Sequence, residues 1–286
     1  MKFNKPDASV FIPDGMTGDD AFRRVTHLGI GAHQDDCEIM AFHGIQKCFT
    51  SWELWFGAVT ATNGAGSPRA GEYGTFSDAE MAALRRREQE KAAVLGNYGA
   101  LVQLNYTSAE VKDAAKGALK SDLVKVLKLV RPEVIYTHNP ADKHDTHLAV
   151  AFATIAALRE LAPDERPTTV YGCEVWRGLD WMDDEDKVAL DVGRREGLSN
   201  GLIGVYDSQV EGGKRYDLAT AGRRRANAVY FQAHATDEAE QLWFAMDLTP
   251  LVRDDKLDVA GYVLGHVDKF RKSVADKIKR YWVAQA

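Results

Sequence analysis

Two short apolar runs, each broken off by a cluster of titratable side chains, constrain this chain most. His27-Leu28-Gly29-Ile30-Gly31-Ala32 runs straight into His33-Gln34-Asp35-Asp36. Val134-Ile135-Tyr136-Thr137 is followed by Asp142-Lys143-His144-Asp145-Thr146-His147. Runs this short and apolar suit strands of a parallel sheet buried on both faces. Open α/β sheets bind ligands just outside the carboxyl ends of their strands. Two polar clusters, each at such an end, predict one metal site assembled from two loops.

The rest of the chain alternates in the same way. Residues 54–62, 101–104 and 169–175 read as further strands, and 38–49, 77–95, 119–130 and 147–161 carry helical spacing. Ser77 with Glu80 three residues on is a capping-box pattern, and Gly96 is a helix stop. Strands alternating with helices predict an α/β fold with a parallel sheet covered on both faces. Residues 1–24, with Pro6, Pro13, Gly15 and Gly18, read as an irregular N-terminal extension. After Val175 the pattern loosens. Trp176, Trp181 and Asp183-Asp184-Glu185-Asp186 mark a loop-rich region, and 222–231, 238–244 and 258–282 read as helical. No repeat or linker demands a second domain, so 1–286 is expected to be one unit.

Hydrophobic residues at 45% allow a large core. A net charge of −6 speaks against a nucleic-acid partner held by phosphate contacts. The runs Arg85-Arg86-Arg87 and Arg223-Arg224-Arg225 read as solvated helix faces. No apolar stretch approaches the ~20 residues of a membrane span, and residues 1–7 lack the apolar core of a signal peptide. Cys37, Cys48 and Cys173 have no metal-finger spacing, and an odd number does not suggest a disulfide framework. The expectation is a reduced, cytoplasmic protein without nucleic-acid or membrane partners, in which Cys37 is a packing residue.

Hydrolytic zinc sites commonly take three protein ligands and leave a position open for water. His33 and Asp36, at i and i+3, reach one ion when the turn after the strand curls, and His147 supplies a third ligand from the other loop. Asp35 then lies beside the metal without binding it, placed as a general base for water on the metal. His144, one turn before His147, is placed to stabilise an oxyanion or protonate a leaving amine. Nucleotide binding by Gly29-Ile30-Gly31 is disfavoured, because the third glycine of the dinucleotide fingerprint is missing and carboxylates stand where a pyrophosphate would sit.

These residues resemble a known family. Ala32-His33-Gln34-Asp35-Asp36 resembles the Ala-His-Pro-Asp-Asp signature of the PIG-L/LmbE-like N-acetylglucosamine deacetylases. Asn139-Pro140 with Asp142, His144 and His147 resembles their second motif, 60–66 the loop after their second strand, and 85–96 with Glu88 the next helix. The resemblance covers about the first 160 residues. It implies a Rossmann-like three-layer αβα fold with a mainly parallel sheet of about five or more strands, and zinc-dependent removal of an acyl group from a sugar amide. His33, Asp36 and His147 are the implied Zn2+ ligands (one ion per chain), Asp35 the implied base and His144 the implied oxyanion or acid group. An arginine after the second strand contacts substrate in this family, and Arg85 is the nearest match, with Arg86 and Arg87 as rivals. Family members assemble into trimers or hexamers, so a homo-oligomer is compatible with the resemblance.

The chain departs from the pattern at three points. Gln34 replaces proline, Cys37 stands where an acid is frequent, and Asp145-Thr146 replaces Pro-Asp before His147. The carboxylate that would orient the catalytic histidine is thus missing from its usual place, leaving Asp142 or Asp145 for that work. The leading expectation is a deacetylase of an N-acetylated amino sugar or its glycoside. The alternatives are an amidase for a larger acyl group, such as a thiol-sugar conjugate, and a non-catalytic, metal-stabilised sugar-binding protein. Specificity is expected in the loops after residue 175, where Trp176 and Trp181 offer rings for either sugar stacking or packing, and His234 shows a distant likeness to a C-terminal family histidine.

Overall fold

In the computed structural model, which describes residues 1–282, the two apolar runs lie side by side at the centre of one eight-stranded sheet. The strands are β1 (Ser9–Phe11), β2 (His27–Gly31), β3 (Phe56–Thr62), β4 (Ala100–Tyr106), β5 (Val134–His138), β6 (Thr169–Cys173), β7 (Val188–Asp191) and β8 (Leu242–Asp247). They lie in the order β1-β4-β3-β2-β5-β6-β8-β7. From β4 to β6 the pairing is parallel; β1, β8 and β7 join antiparallel at the two sides.

The helices are α1 (Asp20–Arg23), α2 (Asp36–Met40), α3 (Phe42–Cys48), α4 (Asp78–Leu95), α5 (Ser108–Lys112), α6 (Ala118–Val130), α7 (Asp145–Arg159), α8 (Glu196–Gly204), α9 (Asp207–Gln209), α10 (Tyr216–Phe231), α11 (Thr249–Arg253) and α12 (Val259–Tyr281). They cover both faces, which is why every residue of β2 is buried. Ile30 and Val102 pack with Leu123 and Leu127 of α6 and Ile155 of α7. Phe42 and Ile45 of α3 pack with Phe56, Tyr98 and Leu202 in the other layer. Ser77 and Glu80 form the full capping box of α4, and Gly96 ends it. Among the described residues no helix is long and apolar enough to cross a membrane.

Three expectations are corrected. Residues 238–244 are not helical: Leu242–Asp247 is β8, because the run Leu-Trp-Phe-Ala-Met is buried along its whole length, as a strand covered on both faces requires. The helix expected over 38–49 is two, α2 and α3, separated at Ala41 (φ −106°, ψ 16°). The break leaves α2 at the strand end while α3 presses on the sheet, where a Cβ on Gly44 would come within 2.6 Å of Tyr136 Cε2. Residues 1–24 are not irregular throughout: Ser9–Phe11 adds the edge strand beside β4, and α1 buries Ala21 and Phe22. A three-residue strand is too short to show an alternation in sequence.

The sheet order reverses beside β2. Its neighbours are β3, reached through α2 and α3, and β5, whose following helix α7 packs in the opposite layer. Loops leaving to opposite faces open a crevice at the carboxyl ends, the place where ligands bind in such sheets.

Candidate metal centre and active-site cavity

Both titratable clusters reach this crevice. The chain leaves β2 through a turn pressed against the strand, so that a Cβ on Gly31 would lie 3.0 Å from Asp36 Cβ. Asp35 forms the turn with φ 93° and ψ −28°, a backbone conformation that side chains other than glycine rarely adopt. Such an outlier at a pocket is a mark of function when the surroundings enforce it. Asp36 opens α2 and turns back, its Oδ2 accepting from His33 N at 2.6 Å.

His33, Asp36 and His147 converge. His33 Nδ1 is 3.2 Å from His147 Nε2 and 3.4 Å from Asp36 Oδ2, and His147 Nε2 is 3.5 Å from Asp36 Oδ1. Ligand atoms about 2.0–2.2 Å from a tetrahedral zinc ion stand about 3.3–3.6 Å apart; each pair here lies near that spacing, with Asp36 turning Oδ2 to His33 and Oδ1 to His147. His147 Nδ1 lies 3.0 Å from Asp142 Oδ2, which also accepts from Val175 N at 3.1 Å. A proton held on Nδ1 leaves the Nε2 lone pair free for a metal. Asp142 thus orients His147, while the ring of His144, the histidine that the altered motif left without an orienting carboxylate, has none on its Nδ1 among the described residues. Burial acts to raise the Asp36 carboxyl, but His147 and His138 outweigh it and hold it well below the usual range. Burial disfavours the His147 imidazolium, yet Asp36 and Asp142 raise this group above its ordinary value.

The structure adds His138, which sequence reasoning missed. It ends β5, fully buried, stacked on His147 with ring centroids 3.9 Å apart. Its Nε2 accepts from Ala32 N at 2.9 Å and lies 3.2 Å from Asp36 Oδ2. The donor atoms of Asp36, His138 and His147 lie within 4.8 Å of one another, as do those of His33, His144 and His147. The Ala32 amide takes the lone pair that a metal would need, so His138 reads as a support for Asp36 and His147. Burial pushes its imidazole down to about 4. The only sequence signal was its place, the last residue before Asn139-Pro140.

Asp35 is 5% exposed, and Arg85 Nη2 lies 2.9 Å from its Oδ2. Burial is the largest influence on Asp35, followed by the opposing Arg85 charge, and its carboxyl is pushed up to about 7. Arg85 also donates to Gln34 O and stands 3.5 Å from Glu88. Glu88 in turn accepts from Ser208 N at 2.8 Å and Ser208 Oγ at 2.7 Å. A polar chain thus runs from Asp35 through α4 to α9. Arg85 and Arg224 are each 1% exposed, so neither arginine run is simply a solvated face. Arg224 donates to the carbonyls of Glu38 and Ile39 in α2.

His144 stands T-shaped to His33, centroids 5.1 Å apart, and Trp176 stacks on it at 6.2 Å. Its Nδ1 is buried without a partner among the described residues, and burial lowers the imidazole to about 4. His33, Asp35, Asp36, His144 and His147 line a cavity of about 350 Å³. Trp176, Lys214 and Tyr216 form its outer wall. Arg85 reaches the cavity wall too, although its guanidinium is taken up by Asp35 and Glu88. Trp181 points elsewhere: its Nε1 donates to Glu174 Oε1 at 2.9 Å. His234 is exposed beyond α10, and Cys37 is buried.

Residues 28–158 match the family described as PIG-L: GlcNAc-PI de-N-acetylase. The matched segment contains the whole convergent cluster, from His33 to His147, and ends one residue before α7 does. Solved structures show the same fold. The conserved protein TT1542 from Thermus thermophilus aligns with a TM-score of 0.61 at 17% identity, over 78% of this chain and 94% of that one. For N,N'-diacetylchitobiose deacetylase from Pyrococcus horikoshii the TM-score is 0.57 at 19% identity, over 79% and 85%. GalB, the 4-carboxy-2-hydroxymuconate hydratase from Pseudomonas putida, aligns at 0.60 with 16% identity, over 78% and 95%. No curated protein matches the chain significantly in sequence.

Proposed function

We propose that this chain is a metal-dependent hydrolase that deacetylates an N-acetylated amino sugar or its glycoside. The observation that carries the reading is the triangle of His33, Asp36 and His147 donors, with His147 oriented by Asp142 and the carboxylate of Asp35 beside it. The similarity of residues 28–158 to this family supports an N-acetyl amide as the bond cleaved. The fold alone does not, since the same fold carries a deacetylase and a hydratase.

His33, Asp36 and His147 would hold zinc, which supplies a Lewis acid that acidifies water and polarises a carbonyl. The chain's own groups then share the proton work. Asp35, with its carboxyl near 7, is basic enough to accept a proton from the attacking water and to pass it to the leaving amine. Arg85 holds that carboxylate in place at 2.9 Å. His144 stays neutral and directs an N–H at the developing oxyanion, as an uncharged imidazole can. The reading treats 1–286 as one unit, supported by a single sheet that draws strands from Ser9–Phe11 through to Leu242–Asp247.

Acetate release from N-acetylglucosamine and several of its glycosides tests the reading, with metal content measured on the same sample. Acetate that vanishes with chelator, returns with zinc and is lost in Asp35→Asn is the expected result. Bound metal with no acetate from any sugar would favour a larger amide or a binding protein, and absence of metal would remove the centre.

A further inference from the structure

Asp36 stands on a helix too short to place it. α2 has five residues, little more than one turn, and such a helix has no stability of its own, because nucleation fixes several residues for each hydrogen bond gained. Its backbone bonds take up the carbonyl of Asp35, through Ile39 N at 3.0 Å, and that of Cys37, through Ala41 N at 2.8 Å. The carbonyls of Glu38 and Ile39 belong to the end of the helix, where partners must come from outside.

They are met from far along the chain. Arg224 of α10 donates from Nη2 to Glu38 O at 3.0 Å and to Ile39 O at 2.9 Å, and from Nη1 to Ser199 Oγ of α8. Its guanidinium lies 4.7 Å over the Phe42 ring of α3 and 5.8 Å from the Trp243 ring of β8. These partners are all neutral. A buried charge without a counter-ion carries a desolvation cost that a methionine of similar reach would not. The charge faces instead the carbonyl end of α2, the end at which a helix favours a cation. Glu38 is thereby gripped twice, since its Oε1 accepts from Gln89 Nε2 at 2.9 Å and from Tyr98 OH at 2.7 Å while its main chain is held by Arg224.

Taken with the metal-dependent reading, on which this rests, we propose that Arg224 is a positioning residue of the metal centre: by fastening the carbonyl end of α2 it sets where Asp36 stands against His33 and His147. Arg224 does not line the catalytic cavity, so it acts only through α2. A helix beyond residue 158 then completes a centre whose three donors all lie within residues 28–158.

The test measures zinc affinity by competition with a chelating dye, and the visible absorption of the cobalt(II)-loaded protein, in the wild type, Arg224→Met, Arg224→Lys and Leu123→Ala. Leu123 is buried in α6, so its replacement lowers stability from elsewhere in the core. Arg224→Met is expected to bind zinc about 10–100-fold more weakly, the effect of losing a group that orients a ligand, and to change the cobalt band as Asp36 moves. Leu123→Ala is expected to keep the wild-type affinity and band. Arg224→Lys offers an ammonium in place of the guanidinium fork and is expected to fall between. Wild-type affinity and band in Arg224→Met, or an equal loss in Leu123→Ala, would overturn the role. If Arg224→Met does not fold, Arg224→Lys decides by the same two readings: weaker zinc binding with a changed band upholds the role, and wild-type values remove it. A wild type that binds no metal removes the centre itself and this role with it, whereas a difference or identity between variants bears on Arg224 alone.

Discussion

Arg85 Nη2 and Asp35 Oδ2 stand 2.9 Å apart with both side chains shielded from water. The arginine is thereby paired with the carboxylate, and we propose a positioning role for it. Arg85→Ala should lower kcat much more than it raises KM, because it frees Asp35 without removing a substrate contact. It should also cost about 3–5 kcal/mol of stability, the usual result of leaving one member of a buried ion pair alone. Steady-state kinetics with denaturant unfolding checks both; a rise in KM with unchanged kcat would assign Arg85 to substrate instead.

Asp142→Ala removes the acceptor that holds His147 Nδ1 at 3.0 Å. Second-sphere carboxylates of this kind affect metal affinity by about 10–100-fold. Zinc competition against a chelating dye should show a loss of that size, while circular dichroism remains that of the wild type.

Glu174 gives a pH dependence of stability. Burial raises its carboxyl to about 7, outweighing hydrogen bonds from Trp181 Nε1 at 2.9 Å and Leu179 N at 2.7 Å. In the unfolded chain a glutamate titrates at about 4.3. The native state thus binds the proton more tightly, and stability falls as pH rises from about 4.3 to about 7, then levels off. Glu174→Gln should abolish this part of the slope, measured as the difference between the two unfolding free energies across the same range.

Gly44→Ala and Gly265→Ala should move stability in opposite directions. At Gly44 a Cβ would meet Tyr136 at 2.6 Å, an overpacking that costs about 1–3 kcal/mol. At Gly265, within α12, nothing lies within 4 Å of the added carbon, and a gain of about 0.5–1 kcal/mol follows from reduced freedom of the unfolded chain. Shifts in denaturant midpoint at constant slope read both.

The parallel centre of the sheet and the placement of His33, Asp35, Asp36, His144 and His147 around one crevice were legible in sequence, because apolar runs and polar clusters are local patterns. His138 was not, since a histidine closing a strand looks like any other strand residue until a neighbouring strand brings Ala32 N within 2.9 Å. The burial of Arg85 and Arg224 was equally hidden. A triplet of arginines reads as a wet surface, and only the carboxylates and carbonyls that meet them in three dimensions show otherwise. β8 was misread because an unbroken apolar run carries no period, and its neighbour β6 lies about seventy residues away in the chain.

The residues expected to hold a metal, His33, Asp36 and His147, fall inside the matched segment, whereas Trp176, Lys214 and Tyr216, which line the same cavity, lie beyond it. One cavity is thus assembled from two successive stretches of the polypeptide. Exchanging the stretch after residue 175 would rebuild one wall of it and leave the His33, Asp36 and His147 side chains on their own strands' loops.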